Sequence, residues 1–236
     1  MSAQALVTVI TVVRNGATYL HQALTSIIQQ TYAPLEVIVV DGQSTDNTAA
    51  IARSFPGVQV VNQDQMGLAN ARNLGVAAAQ GMYIAFLDHD DLWHPTKLAR
   101  QIALHDSQPA AMYSLTQMVF LHEPGASLPP GVTPQSIREP RIAGTPSALV
   151  ARKTLFDQMG GFNSKFSIAC DADWFARTRD HDIPMAVIPE TLVYKRLHGA
   201  NLSYNAGLNR HEMFLVAYQS AVRQRQYADE SNSSHS

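Results

Sequence analysis

Three runs of β-branched and apolar residues, 6–13, 35–40 and 82–87, are separated by stretches with the spacing of amphipathic helices, and that order leaves few folds open. Continuous apolar runs suit strands buried on both faces, as in a parallel sheet. Between the first two lies residues 18–30, with Leu20, Leu24, Ile27 and Ile28 expected on one stripe. Residues 46–54 follow the cap candidates Ser44 and Thr45, 58–62 is a short strand, and 68–79 is an Ala-rich helix ended by Gly81. The first ninety residues therefore read β-α-β-α-β-α-β. That alternation predicts an α/β fold with a doubly wound, mostly parallel sheet, in which ligands bind beyond the carboxyl ends of the strands.

Beyond residue 95 the pattern changes. A helix is expected at 95–107, a strand at 111–121, and a Pro/Gly-rich loop at 123–146 that is placed to cover an active site. A strand at 148–152, a helix at 171–180, a strand at 186–194 and a helix at 209–225 follow, and the polar residues 228–236 read as a frayed tail.

At 236 residues the chain fits one α/β domain, and 46% hydrophobic residues are enough for a core, which excludes disorder for most of it. With 17 Lys+Arg against 19 Asp+Glu, no global positive field exists to hold nucleic acid, so an anionic ligand must be bound locally. A single cysteine, Cys170, allows no internal disulfide and no Cys-based zinc site, which favours a reducing compartment and a cytoplasmic location. No stretch approaches the ~18 apolar residues of a membrane span. In helix 209–225, Met213, Phe214, Val216, Ala217 and Val222 lie beside Arg210, Arg223 and Arg225. Two readings stay open for it, packing on the domain or touching a membrane surface that holds a lipid-linked acceptor.

Polar residues cluster where the switch-point rule places chemistry: Arg14-Asn15 after the first strand, Asp41 at the end of the second, and Asp88-His89-Asp90-Asp91 after the fourth. Three aspartates in four residues require a cation or several hydrogen-bond donors, and a divalent metal with open positions for phosphate oxygens answers that need. The competing assignment makes Asp91 a helix cap and Asp88 a turn residue. Asp171 and Asp173, near a helix start, are open to capping or chemistry. His198, after a strand and before Gly199, carries little weight alone. The triplet Asn201-Leu202-Ser203 matches a glycosylation acceptor, read as coincidence in a cytoplasmic chain. Dinucleotide-binding, P-loop, zinc-protease and nucleophile-elbow motifs do not occur, so those classes lose support.

Taken in order, these segments resemble the family 2 glycosyltransferases of the GT-A fold. Residues 7–15 look like that family's first strand and Y-N turn, and Val40-Asp41-Gly42-Gln43-Ser44-Thr45-Asp46-Asn47-Thr48 like V-D-D-G-S-T-D-G-T. Met66-Gly67-Leu68-Ala69-Asn70-Ala71-Arg72-Asn73-Leu74-Gly75 matches G-x-x-x-A-R-N-x-G, and residues 83–91 match Y-I-x-F-L-D-x-D-D. Later, residues 171–177 resemble E-D-x-D-x-x-x-R and residues 198–203 resemble H-x-x-N-x-S. The chain departs from the pattern at Val12 for Pro, Arg14 for Tyr, Gly42 for the second Asp, and Cys170 for Glu.

The resemblance implies one GT-A type, Rossmann-like domain over 1–227 with its sheet flanked by helices. Its nucleotide-binding half spans about 1–95, its acceptor half about 96–205, and a C-terminal helix about 206–227. It implies an inverting transferase that moves a sugar from a nucleotide sugar, a UDP-sugar, to a hydroxyl of a saccharide or lipid-linked acceptor in polysaccharide, glycolipid or cell-envelope assembly. Thr11, Val13, Arg14, Asp41, Arg72 and Asp88 would bind the nucleotide, and Asp90 with Asp88 and His198 would hold Mn²⁺ or Mg²⁺. Asp171 would be the base, ionised at neutral pH with an ordinary carboxylate pKa of ~3.9, supported by Asp173, Trp174 and Arg177. The residues alone also leave open an inert nucleotide-sugar-binding scaffold and a metal-dependent nucleotidyltransferase.

Overall fold

The computed structural model of the chain describes residues 4–123, 125, 128, 133–142, 144–199 and 205–233. Its first part is the expected alternation: β1 (Val7–Val13), α1 (Leu20–Ile28), β2 (Leu35–Asp41), α2 (Thr48–Arg53), β3 (Val58–Asn62), α3 (Leu68–Ala78) and β4 (Tyr83–Phe86). All seven residues of β1 and all four of β4 are buried, which is why their sequences lack polar alternation. Helix α1 buries Leu20, Ala23, Leu24 and Ile27, one stripe at helical spacing. Ile28, expected on that stripe, is the last residue of the helix and is 51% exposed. Neither Ser44 nor Thr45 caps α2; the Asp46 carboxylate does so, accepting the Thr48 N–H at 3.0 Å. Helix α3 approaches β1 closely at Gly75, where a Cβ would stand 2.5 Å from the Ile10 side chain.

The second part contains β5 (Leu92–Trp93), α4 (Lys97–Ser107), β6 (Tyr113–His122), β7 (Arg141–Ile142), a 3₁₀ turn at Pro146–Ala148, and β8 (Val150–Arg152). It continues with α5 (Lys153–Met159), α6 (Cys170–Asp180), β9 (Met185–Leu197) and α7 (Ala206–Ser233). The stretch 123–146 is thus not all loop, because β7 pairs with β6 through Gln117↔Ile142 and Met118↔Arg141. The tail reading is corrected too: the helix runs on to Ser233, and residues 234–236 lie outside the described residues.

Among the described residues, nine strands form one sheet in the order β3-β2-β1-β4-β8-β6-β9-β5, with β7 beside β6. The six longer strands run in one direction; the short β5, β7 and β8 run against them. The sheet is therefore mostly parallel, as the alternation predicts. Register levels the carboxyl ends, with Val13 opposite Asp41, Asp41 opposite Asn62, and Ile10 opposite Phe86. Polar residues that follow β1, β2, β3 and β4 thus share one edge.

Behind that edge, Trp174 of α6 stacks on Phe156 with ring centroids 5.1 Å apart, and Phe162, Tyr113 and Phe175 surround it. Asp173 pairs with Arg177 at 2.9 Å, and Arg177 also donates to the carbonyls of Met159 and Gly161 at 2.5 and 2.6 Å. Helix α7 packs Glu212, Val216 and Ser220 inward and leaves Met213, Phe214 and Tyr218 exposed. The Glu212 carboxylate accepts the N–H groups of Ser167, Ile168 and Ala169 at 2.7, 2.9 and 2.8 Å, just before α6. Burial pushes that carboxyl up, but the three N–H donors outweigh it and hold it below its ordinary value. Among the described residues no helix is long and apolar enough to cross a membrane.

Lys97 is a cost within this core. Its ammonium is fully buried 4.1 Å over the Trp93 ring, with no hydrogen-bond partner among the described residues. Burial pushes its pKa well below the ordinary lysine value, although the ring face favours the cation. The unfolded chain then binds more protons than the folded one, so stability rises with pH between the lowered pKa and the ordinary lysine value. Lys97→Met should raise stability at neutral pH and flatten the alkaline rise in denaturation midpoints. Equal pH dependence in variant and wild type would refute this. For Glu212→Ala, a loss of about 1–3 kcal/mol is expected, with faster hydrogen exchange at the amides of Ser167, Ile168 and Ala169. Unchanged exchange there would show that α7 does not hold this loop.

Candidate active site

Two loops are tied together at the carboxyl edge before any ligand arrives. The Asn15 N–H donates to Ser44 Oγ at 2.9 Å, and the Asn15 side-chain oxygen accepts the Thr45 N–H at 2.8 Å. Gly16 N–H donates to Thr48 Oγ1 at 2.9 Å, and Ala17 N–H to Asp46 at 3.1 Å. Gly42 sits where a Cβ would meet Gln63 Oε1 at 3.2 Å and Arg14 Cβ at 3.3 Å, so a longer residue there needs its neighbours to give way. Below these loops opens a cavity of about 950 Å³. One side is lined by Val13, Arg14, Gly42 and Arg72, the other by Asp171, Ala172, His198 and Met213, with Asp88 and Asp90 also in its wall.

The acidic segment after β4 divides into three tasks. Asp91 is 1% exposed; it accepts the Ser147 hydroxyl at 2.7 Å and the Arg196 N–H at 3.0 Å. Burial pushes its carboxyl up to about 7, against the pull of Lys195. Asp88 meets Arg72 Nη2 at 3.3 Å through Oδ1 and Lys195 Nζ at 3.8 Å through Oδ2. Burial pushes the Asp88 carboxyl up, but Arg72, Lys195 and His89 together hold it below its ordinary value. Asp90 Oδ2 lies 2.9 Å from His198 Nε2, and the Tyr19 ring packs on His198 at 4.9 Å.

Arg72 joins the two halves. Its guanidinium, 3% exposed, donates to Asp88 and to Cys170 Sγ at 3.3 Å, and lies 5.3 Å over the Phe162 ring. Cys170 is buried and its thiol is pushed up to about 11 by desolvation, so it accepts from Arg72 as a neutral group. Asp171 follows at the start of α6 and its carboxylate accepts the Ala172 N–H at 2.8 Å. Burial raises its pKa above the ordinary value, opposed by Arg72. The ordinary carboxylate behaviour expected from sequence is therefore corrected, in the direction that makes a stronger base.

Of the residues singled out from sequence, Val13, Arg14, Arg72, Asp88, Asp90, Asp171 and His198 line one cavity. Thr11 is fully buried within β1, and Asp41, 6% exposed, sits below Gly42 and accepts the Ser44 N–H at 3.3 Å; neither lines the cavity. Asp173 and Trp174 are buried behind Asp171, Arg177 is partly buried and paired with Asp173, and none of the three lines the cavity. Asn201, Leu202 and Ser203 lie outside the described residues. The sequence reading missed Lys195, which the β5–β9 ladder brings beside Asp91 through Leu92↔Tyr194.

A divalent ion is tested against this donor set. Among the described residues no group of three or more His, Cys, Asp or Glu is arranged to hold a metal. Asp90 and His198, 2.9 Å apart, nevertheless offer a carboxylate and an imidazole, a set that fits a cation completing its shell with phosphate oxygens and water.

Known proteins share this architecture. Residues 8–163 match glycosyl transferase family 2. An uncharacterized glycosyltransferase of Rickettsia felis is 30% identical over 213 residues, covering 82% of this chain and 34% of that protein. A putative teichuronic acid biosynthesis glycosyltransferase of Bacillus subtilis, TuaG, is 34% identical over 128 residues, 52% of this chain and 50% of that one. The chain thus spans from about a third to a half of these relatives' lengths. Among solved structures, S. aureus TarS 1–349 in complex with UDP-GlcNAc superposes with a TM-score of 0.75 at 22% identity, covering 92% of this chain and 66% of that one. The mannosyltransferase PcManGT from Pyrobaculum calidifontis, in complex with GDP-Man and Mn²⁺, gives 0.69 at 19% identity, covering 94% and 65%. With the family match spanning well over half the chain and the fold agreeing, this chain belongs to glycosyl transferase family 2.

Proposed function

We propose that the chain transfers a sugar from a nucleotide-sugar donor, a UDP-sugar, to an acceptor hydroxyl with inversion, in polysaccharide, glycolipid or cell-envelope assembly on the cytoplasmic side. One observation carries this reading: a buried arginine and a carboxylate at a helix start, Arg72 and Asp171, line a single cavity at the carboxyl edge of the sheet. The names of TarS bound to UDP-GlcNAc and of the teichuronic acid relative support a nucleotide-sugar donor and an envelope polysaccharide. Asp41, buried next to Gly42 of the cavity wall, is our choice for reading the base, which requires that carboxylate to become accessible when the nucleotide enters.

Chemistry follows from placement. The acceptor oxygen gives its proton to an Asp171 carboxylate oxygen as it attacks the sugar C1 from the face opposite the diphosphate. The bond from C1 to the phosphate oxygen breaks, and its electron pair leaves on the diphosphate. Arg72 places fixed positive charge near that end. A divalent ion, held by Asp90 and His198, would neutralise the developing phosphate charge without moving a proton. A single displacement inverts the anomeric centre.

Asp171→Asn keeps the shape and removes the base, so transfer should fall by roughly 10² or more while UDP affinity stays near wild type. Donor hydrolysis, with water as acceptor, and calorimetry read the two quantities. In wild type the rate should fall as pH drops through the elevated Asp171 pKa, above the ordinary carboxylate range, since protonation removes the base. Wild-type turnover in Asp171→Asn would move the base elsewhere; nucleotide-sugar binding without turnover in any donor panel would leave a binding protein. A lipid-linked acceptor is supported by Phe214 and Tyr218, exposed on α7 near Met213 of the cavity wall. Co-sedimentation with anionic liposomes should fall in Phe214→Asp, and absence of binding in wild type would remove the membrane contact.

A further inference from the structure

Lys195 has no part in the reaction above, yet it lines the same cavity. Its Nζ lies 3.8 Å from Asp88 Oδ2 and 3.7 Å from Asp91 Oδ2. Its side chain is 24% exposed, so the ammonium is neither a surface charge nor sealed in the core. Both separations are ion-pair distances beyond the 2.7–2.9 Å of a charge-assisted hydrogen bond, so the ammonium donors can still reach an incoming oxygen. Asp90 and Asp171 add their fields to the same position. A lysine so placed supplies one positive charge where an acidic cluster otherwise attracts a dication.

We propose that Lys195 is the site's resident cation: it contacts the diphosphate of the bound nucleotide, and its charge lowers the affinity of the aspartates for a divalent ion. This rests on the reading of the cavity as a nucleotide-sugar site. The two effects have one cause. A fixed positive charge among the carboxylates repels Mn²⁺ and attracts phosphate oxygens, both strongly in a partly dry cleft. Diphosphate binding then survives removal of the metal. Its place is set by backbone pairing: Leu92 opposite Tyr194 puts the next residue of β9 beside the residue before β5.

The test uses the full chain with MnCl₂, UDP and GDP as probes. By calorimetry in EDTA, wild type should bind UDP or GDP measurably, and Lys195→Met should bind the same nucleotide tenfold or more weakly. By electron paramagnetic resonance without nucleotide, Lys195→Met should bind Mn²⁺ tenfold or more tightly than wild type. Lys195→Arg, which keeps the charge, should return both values towards wild type. Wild type that binds nucleotide only with Mn²⁺ overturns the proposal, and that measurement needs no variant to fold. A lower melting temperature in Lys195→Met with both affinities unchanged also overturns it, because it makes Lys195 purely structural. If neither nucleotide binds wild type under any condition, the donor reading fails, while the Mn²⁺ comparison still decides what the charge of Lys195 does.

Discussion

The buried carboxylate of Asp91 holds the site together. Through one oxygen it accepts the Arg196 N–H of β9, and through the other the Ser147 hydroxyl of the 3₁₀ turn. Ser147 Oγ in turn accepts the Asp88 N–H at 3.2 Å, and its carbonyl accepts the Trp93 Nε1–H at 2.7 Å. A carboxyl this enclosed is costly unless its oxygens are satisfied, so the segment after β4, the turn before β8 and the end of β9 are bound to one geometry. Asp88 and Asp90 inherit their aim from it. Asp90 receives His198 because Arg196, two residues earlier, is fixed by Asp91 and by the Asp90 carbonyl at 2.9 Å.

Charge balance explains the second layer. Asp88, Asp90, Asp91 and Asp171 crowd one cleft, and Arg72 is the cation that reaches from α3 to both sides of it. Where the family pattern has Glu, this chain has Cys170, whose thiol is pushed up to about 11 and therefore adds no charge beside Arg72. A glutamate there would compete with Asp88 for the guanidinium. The neutral sulfur leaves the strong ion pair to Asp88 and keeps Asp171 from facing another anion at the preceding residue.

Much of the first half was legible because buried parallel strands leave an uninterrupted apolar trace, and 6–13 and 35–40 carry it plainly. The two-residue strands β5 and β7 are too short to show any period, and α5 follows β8 without a break. Ile28 misled because a stripe drawn from spacing ignores where the helix stops. Residues 228–233, Ala-Asp-Glu-Ser-Asn-Ser, are polar apart from Ala228 and carry no apolar periodicity, so composition reads as tail what the backbone makes helix. Motif residues found the cavity from Arg14 to His198, but Lys195 carries no motif. Its role is created by a β5–β9 pairing that bridges about a hundred residues of chain.

The two walls of the cavity come from the two halves of the chain, and the contrast in how each is held bears on what happens between them. The β1 and β2 side is fixed by backbone ladders and loop hydrogen bonds that run directly between Asn15, Ser44 and Thr45. The Asp171 side is fixed from outside, by Glu212 of α7 accepting three N–H groups before α6 and by the Trp174 cluster beneath it. On the proposed reaction, a leaving group needs charge that does not shift while a bond breaks, which Arg72 would supply from α3. On the same reading an acceptor would meet the Asp171 wall, whose position depends on α7 and the aromatic cluster together and not on a sheet ladder.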